Sequence, residues 1–182
     1  MMQMKTKFIM IVVLSLDGKI SDNSKKLPNW TSKEDWKWFQ NMLTICDAVI
    51  VGRKTYQVAK NNIDKRKAFV LSKKYKGQIG SVTFADSLKK IKKLAQRYKT
   101  VAVLGGQDVY SAAIKIDMVN ELYITVEPII LGKGISFLGN KILVRHKFIL
   151  KDSEILNKKG SILLHYKLNQ THDRNTNKDK NL

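Results

Sequence analysis

Short unbroken apolar runs alternate along this chain with longer stretches in which apolar residues recur every three or four positions. That alternation predicts strands buried on both faces, separated by amphipathic helices. Residues 7–16, which include Phe8-Ile9-Met10-Ile11-Val12-Val13-Leu14, read as the first buried strand. A polar loop with Gly18 and Pro28 follows over 17–29. Thr31, with Glu34 three residues on, forms a capping box, and Trp36, Phe39, Met42 and Leu43 keep helical spacing to about Thr44. Residues 48–51 and 68–71 are further buried strands, the latter ending at Ser72-Lys73, and 82–84 is a short one. Asp86 or Ser87 then caps a helix whose stripe is Leu88, Ile91, Lys92 and Ala95, with Lys89, Lys90, Lys93 and Lys99 toward solvent. A strand over 101–104, a helix over 107–116 and a strand over 122–126 come next. Residues 127–134 form a loop with an apolar middle, and 148–156 with 161–168 form a hairpin around Asn157-Lys158-Lys159-Gly160. The expected architecture is one α/β domain over 1–168. Its central sheet is mixed but mostly parallel, is flanked by helices and ends in an antiparallel C-terminal hairpin. Residues 169–182 are polar and expected to be a disordered tail.

Composition changes this picture in one respect. The 182 residues carry a formal net charge of +19. The lysines are spread through every segment, Arg is scarce, and no nucleic-acid-binding motif accompanies them, so the charge points to anionic small molecules before nucleic acid. A basic nucleic-acid-binding protein is the remote alternative. Cys46 is the only cysteine, which excludes an internal disulfide and suits a reducing compartment. The apolar run near the amino end is short and meets Asp17 and Lys19 at once, which reads as a buried strand and not a signal peptide. A cytoplasmic protein without a membrane segment is expected. His146, His165 and His172 lack ligand spacing, so no metal is expected.

The candidate chemistry lies at two turns and one helix. In Ala48-Val49-Ile50-Val51-Gly52-Arg53-Lys54-Thr55-Tyr56 and in Val101-Ala102-Val103-Leu104-Gly105-Gly106-Gln107-Asp108-Val109-Tyr110, glycine ends a strand and opens a helix. Such a place favours an anion, and a pair of them suggests a dinucleotide. Arg53, Lys54 and Thr55, joined by Ser72-Lys73 at the next strand end, suit an additional monoester phosphate; alternatively, Arg53 and Lys54 are two more surface cations of a basic chain. Gly105-Gly106 is not the G-x-G-x-x-G fingerprint, which disfavours the ordinary dinucleotide-binding fold. In the helix, Asp35 beside Trp38 and Phe39 can receive a flat, nitrogen-rich heterocycle, or it merely complements the helix dipole while the aromatics fill the core.

In this order, these elements resemble the dihydrofolate reductase superfamily over about 7–168. Trp30, Asp35 and Phe39 resemble its substrate helix. Gly52, Arg53, Lys54 and Thr55 resemble its cofactor segment, and Leu71, Ser72 and Lys73 the strand end that meets the adenosine phosphate. Gly105, Gly106, Gln107, Asp108, Val109 and Tyr110 resemble the glycine pair and helix beneath nicotinamide and pyrophosphate. Ser15-Leu16-Asp17-Gly18-Lys19-Ile20 and Glu127-Pro128-Ile129-Ile130-Leu131-Gly132-Lys133-Gly134 resemble one branch, the C-terminal reductase domain of the riboflavin-biosynthesis deaminase-reductase. The chain departs from that branch at Val103 and over Gln57-Val58-Ala59-Lys60-Asn61, and from the folate type at Asp108. The resemblance implies a dihydrofolate-reductase-like fold and an NADPH-dependent reductase acting on a C=N bond of a pterin or pyrimidine. Dihydrofolate is the first substrate, and 5-amino-6-(5-phosphoribosylamino)uracil the alternative. It implies that Asp35 anchors the substrate ring, that the two glycine turns form opposite ends of one NADPH site, and that the chain is a monomer or a homodimer.

Overall fold

The computed structural model describes residues 5–22, 26–139 and 146–169. Strand β1 (Lys7–Ser15) is followed by a short β2 (Lys19–Ser21), helix α1 (Lys33–Thr44), β3 (Ala48–Gly52), α2 (Arg53–Ile63) and β4 (Ala68–Leu71). Then come β5 (Gly77–Ile79), β6 (Val82–Ala85), α3 (Leu88–Ala95), β7 (Thr100–Val103), α4 (Gln107–Lys115) and β8 (Glu121–Glu127). A short β9 (Ile135–Ser136) precedes the hairpin of β10 (Phe148–Ile155) and β11 (Ile162–Leu168). Nine strands form one sheet in the order β10-β11-β8-β1-β7-β3-β4-β6-β5, and β2 pairs separately with β9. From β8 to β6 all neighbours run parallel, whereas β5, β10 and β11 pair antiparallel at the edges. The expected α/β fold with a closing hairpin is therefore present.

The unbroken apolar runs are explained by helices on both sheet faces. Side chains alternate along each strand. Phe8, Met10, Ile50, Phe69, Val101 and Val103 point to one side, where α3 and α4 add Ile91, Val109 and Ala113. Ile9, Ile11, Val49, Val51 and Val70 point to the other, against Leu43 of α1 and Ile63 of α2. Parallel strands also end on the same side of the sheet. Gly52, Leu71 and Ala85 are cross-strand neighbours along that edge, with Leu104 next to them.

Three details differ from the sequence reading. The cap of α1 is Ser32, not Thr31; its hydroxyl accepts from the Asp35 N–H at 3.2 Å. Trp36, expected in the apolar stripe, is 47% exposed because it faces the cleft described below. Strands β2, β5 and β9 have two or three residues each, and β5 is exposed throughout, too little for a periodicity to register. The expected disordered tail, with His172, falls almost wholly outside the described residues. Among those residues, no helix is long and apolar enough to cross a membrane.

Candidate active site

Because β3 and β7 are neighbours in register, their terminal glycines lie side by side. The Gly52 N–H donates to the Gly105 carbonyl at 2.6 Å, and the Gly106 N–H donates to Thr55 Oγ1 at 2.9 Å. The two turns, expected at opposite ends of a site, are instead one joined floor from which α2 and α4 both start. The reason is the strand order, since β7 inserts between β1 and β3. Neither helix has a capping side chain, for Gly52 and Gly106 occupy the N-cap positions. Two helix starts thus present their dipoles to the same space. Gly105 has φ +96°, and its peptide to Gly106 is cis. A Cβ on Gly105 would lie 2.6 Å from the Tyr110 ring, and one on Gly52 would lie 3.3 Å from Val109 Cγ2. The Tyr110 hydroxyl donates to the Ile11 carbonyl at 2.7 Å, and burial pushes its pKa well above the ordinary tyrosine range. Tyr110 is therefore a neutral prop under the floor.

A cleft of about 1090 Å³ opens over this floor. It lies outside the carboxyl ends of the parallel strands, where α/β sheets bind ligands. Gly52, Arg53, Lys54, Thr55, Leu71, Ser72, Lys73, Gly106, Gln107, Asp108, Val109 and Tyr110 all line it, as do Asp35 and Phe39. Gly105 and Trp30 do not line it. Trp30 Nε1 is buried with no hydrogen-bond partner among the described residues. Trp38, expected beside the ligand, packs instead on Tyr123 at 5.4 Å between ring centroids.

At the far strand ends, Ser72 is buried and its Oγ accepts from the N–H groups of Lys74 and Tyr75 at 3.2 and 3.0 Å, which leaves its proton to donate. Arg53 Nη1 donates to Gln57 at 3.2 Å. Asp86 shares this end of the cleft; hydrogen bonds and ion pairs with Lys90 (2.8 Å) and Lys76 (3.4 Å) hold its carboxyl below the usual range. Gln107 Nε2 donates to the Ser136 carbonyl at 2.9 Å, tying α4 to β9.

Asp35, in the first turn of α1, lines the same cleft and is 7% exposed. Burial raises its pKa and the nearby Glu127 charge adds to this, while a hydrogen bond from Thr125 opposes them. Thr125, Glu127, Ser32 and Ser161 were not singled out from the sequence as parts of the site. Glu127 lies at the end of a strand, where the sequence pattern places the start of a loop; Thr125 shows only as a polar residue on a buried strand face.

The loop over β2 closes one side of the cleft, with Ile20 and Ser21 lining it beside Ile135 of β9. Exposed Asp17 pins it. Its carboxylate accepts from Ser15 Oγ at 2.6 Å and from the N–H groups of Leu131 and Gly132 at 3.1 and 2.9 Å, bonds that lower its pKa to about 2. A depressed carboxyl contributes stability that is present above its unfolded pKa and lost as pH falls through the folded one. The pin is thus expected to hold above pH 3.8 and to release as pH drops through about 2. Asp17→Asn should speed amide exchange at Leu131 and Gly132 at neutral pH; unchanged exchange would contradict the pin.

Among the described residues, no group of three or more His, Cys, Asp or Glu side chains could hold a metal ion. A family model for dihydrofolate reductase matches residues 7–132. The chain is 28% identical over 125 residues to a dihydrofolate reductase of Buchnera aphidicola subsp. Baizongia pistaciae, covering 68% of this chain and 74% of that one. Its fold is similar to a pyrimidine reductase-like protein from Corynebacterium diphtheriae (TM-score 0.72, 16% identity), covering 91% of this chain and 92% of that one. It is also similar to a diaminohydroxyphosphoribosylaminopyrimidine deaminase/5-amino-6-(5-phosphoribosylamino)uracil reductase from Thermotoga maritima (TM-score 0.70, 18% identity). That match covers 90% of this chain and 57% of that one.

Proposed function

We infer the reaction from one premise: this chain belongs to the dihydrofolate reductase family. It is an NADPH-dependent reductase that transfers hydride to a C=N bond of a pterin or pyrimidine, with dihydrofolate as the first substrate. The observation that carries this reading is a buried carboxyl, Asp35, in the same cleft as a floor of two uncapped helix starts.

The donor set fits NADPH. Arg53, Lys54 and Lys73 supply cations, Thr55 and Ser72 supply hydroxyls, and the helix starts favour the pyrophosphate. When bound, NADPH supplies the hydride. The chain's own part is alignment and charge. Asp35 accepts hydrogen bonds from an amino group and a ring N–H of the substrate, and so fixes the face of the ring turned toward the floor. Ionised in this buried setting, its negative charge favours the protonated ring in the transition state. Phe39 and Trp36 supply apolar walls to the flat ring.

The second reading takes 5-amino-6-(5-phosphoribosylamino)uracil as substrate. It is favoured by Lys26 on the cleft wall, a cation placed to meet a ribose phosphate, and by the pinned loop at Asp17.

Arg53→Ala tests the cofactor assignment. Loss of one partly exposed phosphate contact is worth about tenfold in affinity. Fluorescence titration should show NADPH binding weakened by about that factor and NADH binding nearly unchanged. Equal loss for both would remove Arg53 from the 2′-phosphate.

A further inference from the structure

Behind Asp35 lies a second buried carboxylate that the reaction above does not use. Glu127, at the end of β8, is 3% exposed. Among the described residues it forms no ion pair. Three neutral donors hold it instead. Its Oε1 accepts from the N–H and the hydroxyl of Ser32, both at 2.7 Å, and its Oε2 accepts from Ser161 Oγ at 2.5 Å. Asn157 Nδ2 in turn donates to Ser161 Oγ at 2.8 Å. Ser32 is the hinge of the arrangement, because its Oγ also accepts from the Asp35 backbone N–H. The first turn of α1 thus hangs from Glu127, and the hairpin of β10 and β11 grips the same carboxylate from the other side.

We propose that Glu127 is a positioning residue for the reaction: through Ser32 it fixes the stance of Asp35, and it sets a buried carboxylate behind that side chain. The inference rests on the reading of Asp35 as the anchor of the substrate ring. A buried carboxylate without a cation is costly unless its hydrogen bonds are complete. As a cap alone it would be an expensive choice, since Ser32 already caps α1 by itself. What a neutral residue there could not do is act on Asp35 by charge. The other charged groups around Asp35 are Glu34 on α1, which is engaged by Asn157 Nδ2 at 3.3 Å, and Lys26, Arg53 and Lys54 on the cleft. Burial acts most strongly on Asp35 and raises its pKa, the hydrogen bond from Thr125 opposes it, and the Glu127 charge adds to burial.

Glu127→Gln is the test, because glutamine keeps the size, accepts from Ser32 and donates to Ser161 while removing the charge. The Asp35 carboxyl is followed by carbon NMR against pH without substrate, and turnover is followed against pH in parallel. The Asp35 midpoint is expected to fall, and the alkaline limb of kcat to move down with it. Glu127→Asp, which restores the charge, should return the midpoint. A midpoint that stays in place in the folded Gln variant overturns the proposal, as does a limb that stays while the midpoint moves. Should the Gln variant fail to fold, Ser32→Ala decides: it cuts the link from Glu127 to Asp35, and an unchanged Asp35 midpoint with an unchanged pH profile of kcat overturns the proposal. Absence of turnover with either substrate would instead count against the reductase reading, since the NMR titration needs no reaction.

Discussion

Asp35→Asn is expected to lower kcat about a hundredfold or more while NADPH affinity stays nearly unchanged. Asparagine keeps the shape of the side chain and can still accept from Thr125, but it cannot carry the charge or the proton that the substrate ring requires. The glycine floor proposed for the cofactor is built from other elements, the ends of β3 and β7 with α2 and α4, and is untouched. The same substitution has a second, opposite signature. Burial raises the Asp35 pKa above its ordinary 3.8, so the native state binds that proton more tightly than the unfolded chain does. Stability from this group is fully present below 3.8 and is lost as pH rises through the folded value. Removing the carboxyl lifts that loss. The Asn variant should therefore show a higher Tm than the wild type at neutral pH, alongside its lower turnover. Steady-state kinetics and thermal melts on one preparation check both. A variant with normal turnover would exclude Asp35 from the chemistry, and one with lowered Tm would contradict the sign of its burial.

Gly105→Ala should be the most damaging change to the floor. A residue with a Cβ is strained at φ +96°, and that Cβ would stand 2.6 Å from the Tyr110 ring. The ring is buried, and its hydroxyl is held by the Ile11 carbonyl. Backbone strain and overpacking together cost about 3 kcal/mol or more, or about 10 °C in Tm for a chain of this size. Gly80 is the internal control: it also has positive φ, +56°, but nothing lies within 4 Å of its Cβ position. Gly80→Ala should cost only about 1 kcal/mol. Equal melting temperatures for the two variants would show that Tyr110 does not prop the floor. Gly105→Ala should also weaken NADPH, because Gly52 and Gly106 are hydrogen-bonded into the same turn.

What could be read along the chain was what local physics enforces. Strands β1, β3, β4 and β7 were legible because helices cover both faces, so each is a run of apolar residues too short for a helix. The glycine turns were legible as turns. Their union was not, because it depends on β7 lying beside β3, a pairing between segments about fifty residues apart. Asp35 stood out by its place in the first turn of α1 and its aromatic neighbours. Glu127 did not, for its meaning lies in Ser32, 95 residues away, and Ser161, 34 residues away. Trp36 kept helical spacing with core residues yet faces the cleft, since periodicity finds an apolar stripe but not which part of it a ligand covers.

The central claim is that the joined glycine floor and Asp35 serve one hydride transfer. Its most direct test is NADPH oxidation followed with dihydrofolate and with 5-amino-6-(5-phosphoribosylamino)uracil in parallel, on the same protein and beside its Asp35→Asn variant. Turnover with dihydrofolate is expected to exceed turnover with the ribotide and to collapse in the variant. Turnover with the ribotide alone would transfer the function to the second reading. No NADPH oxidation with either substrate, or oxidation indifferent to Asp35, would contradict the account.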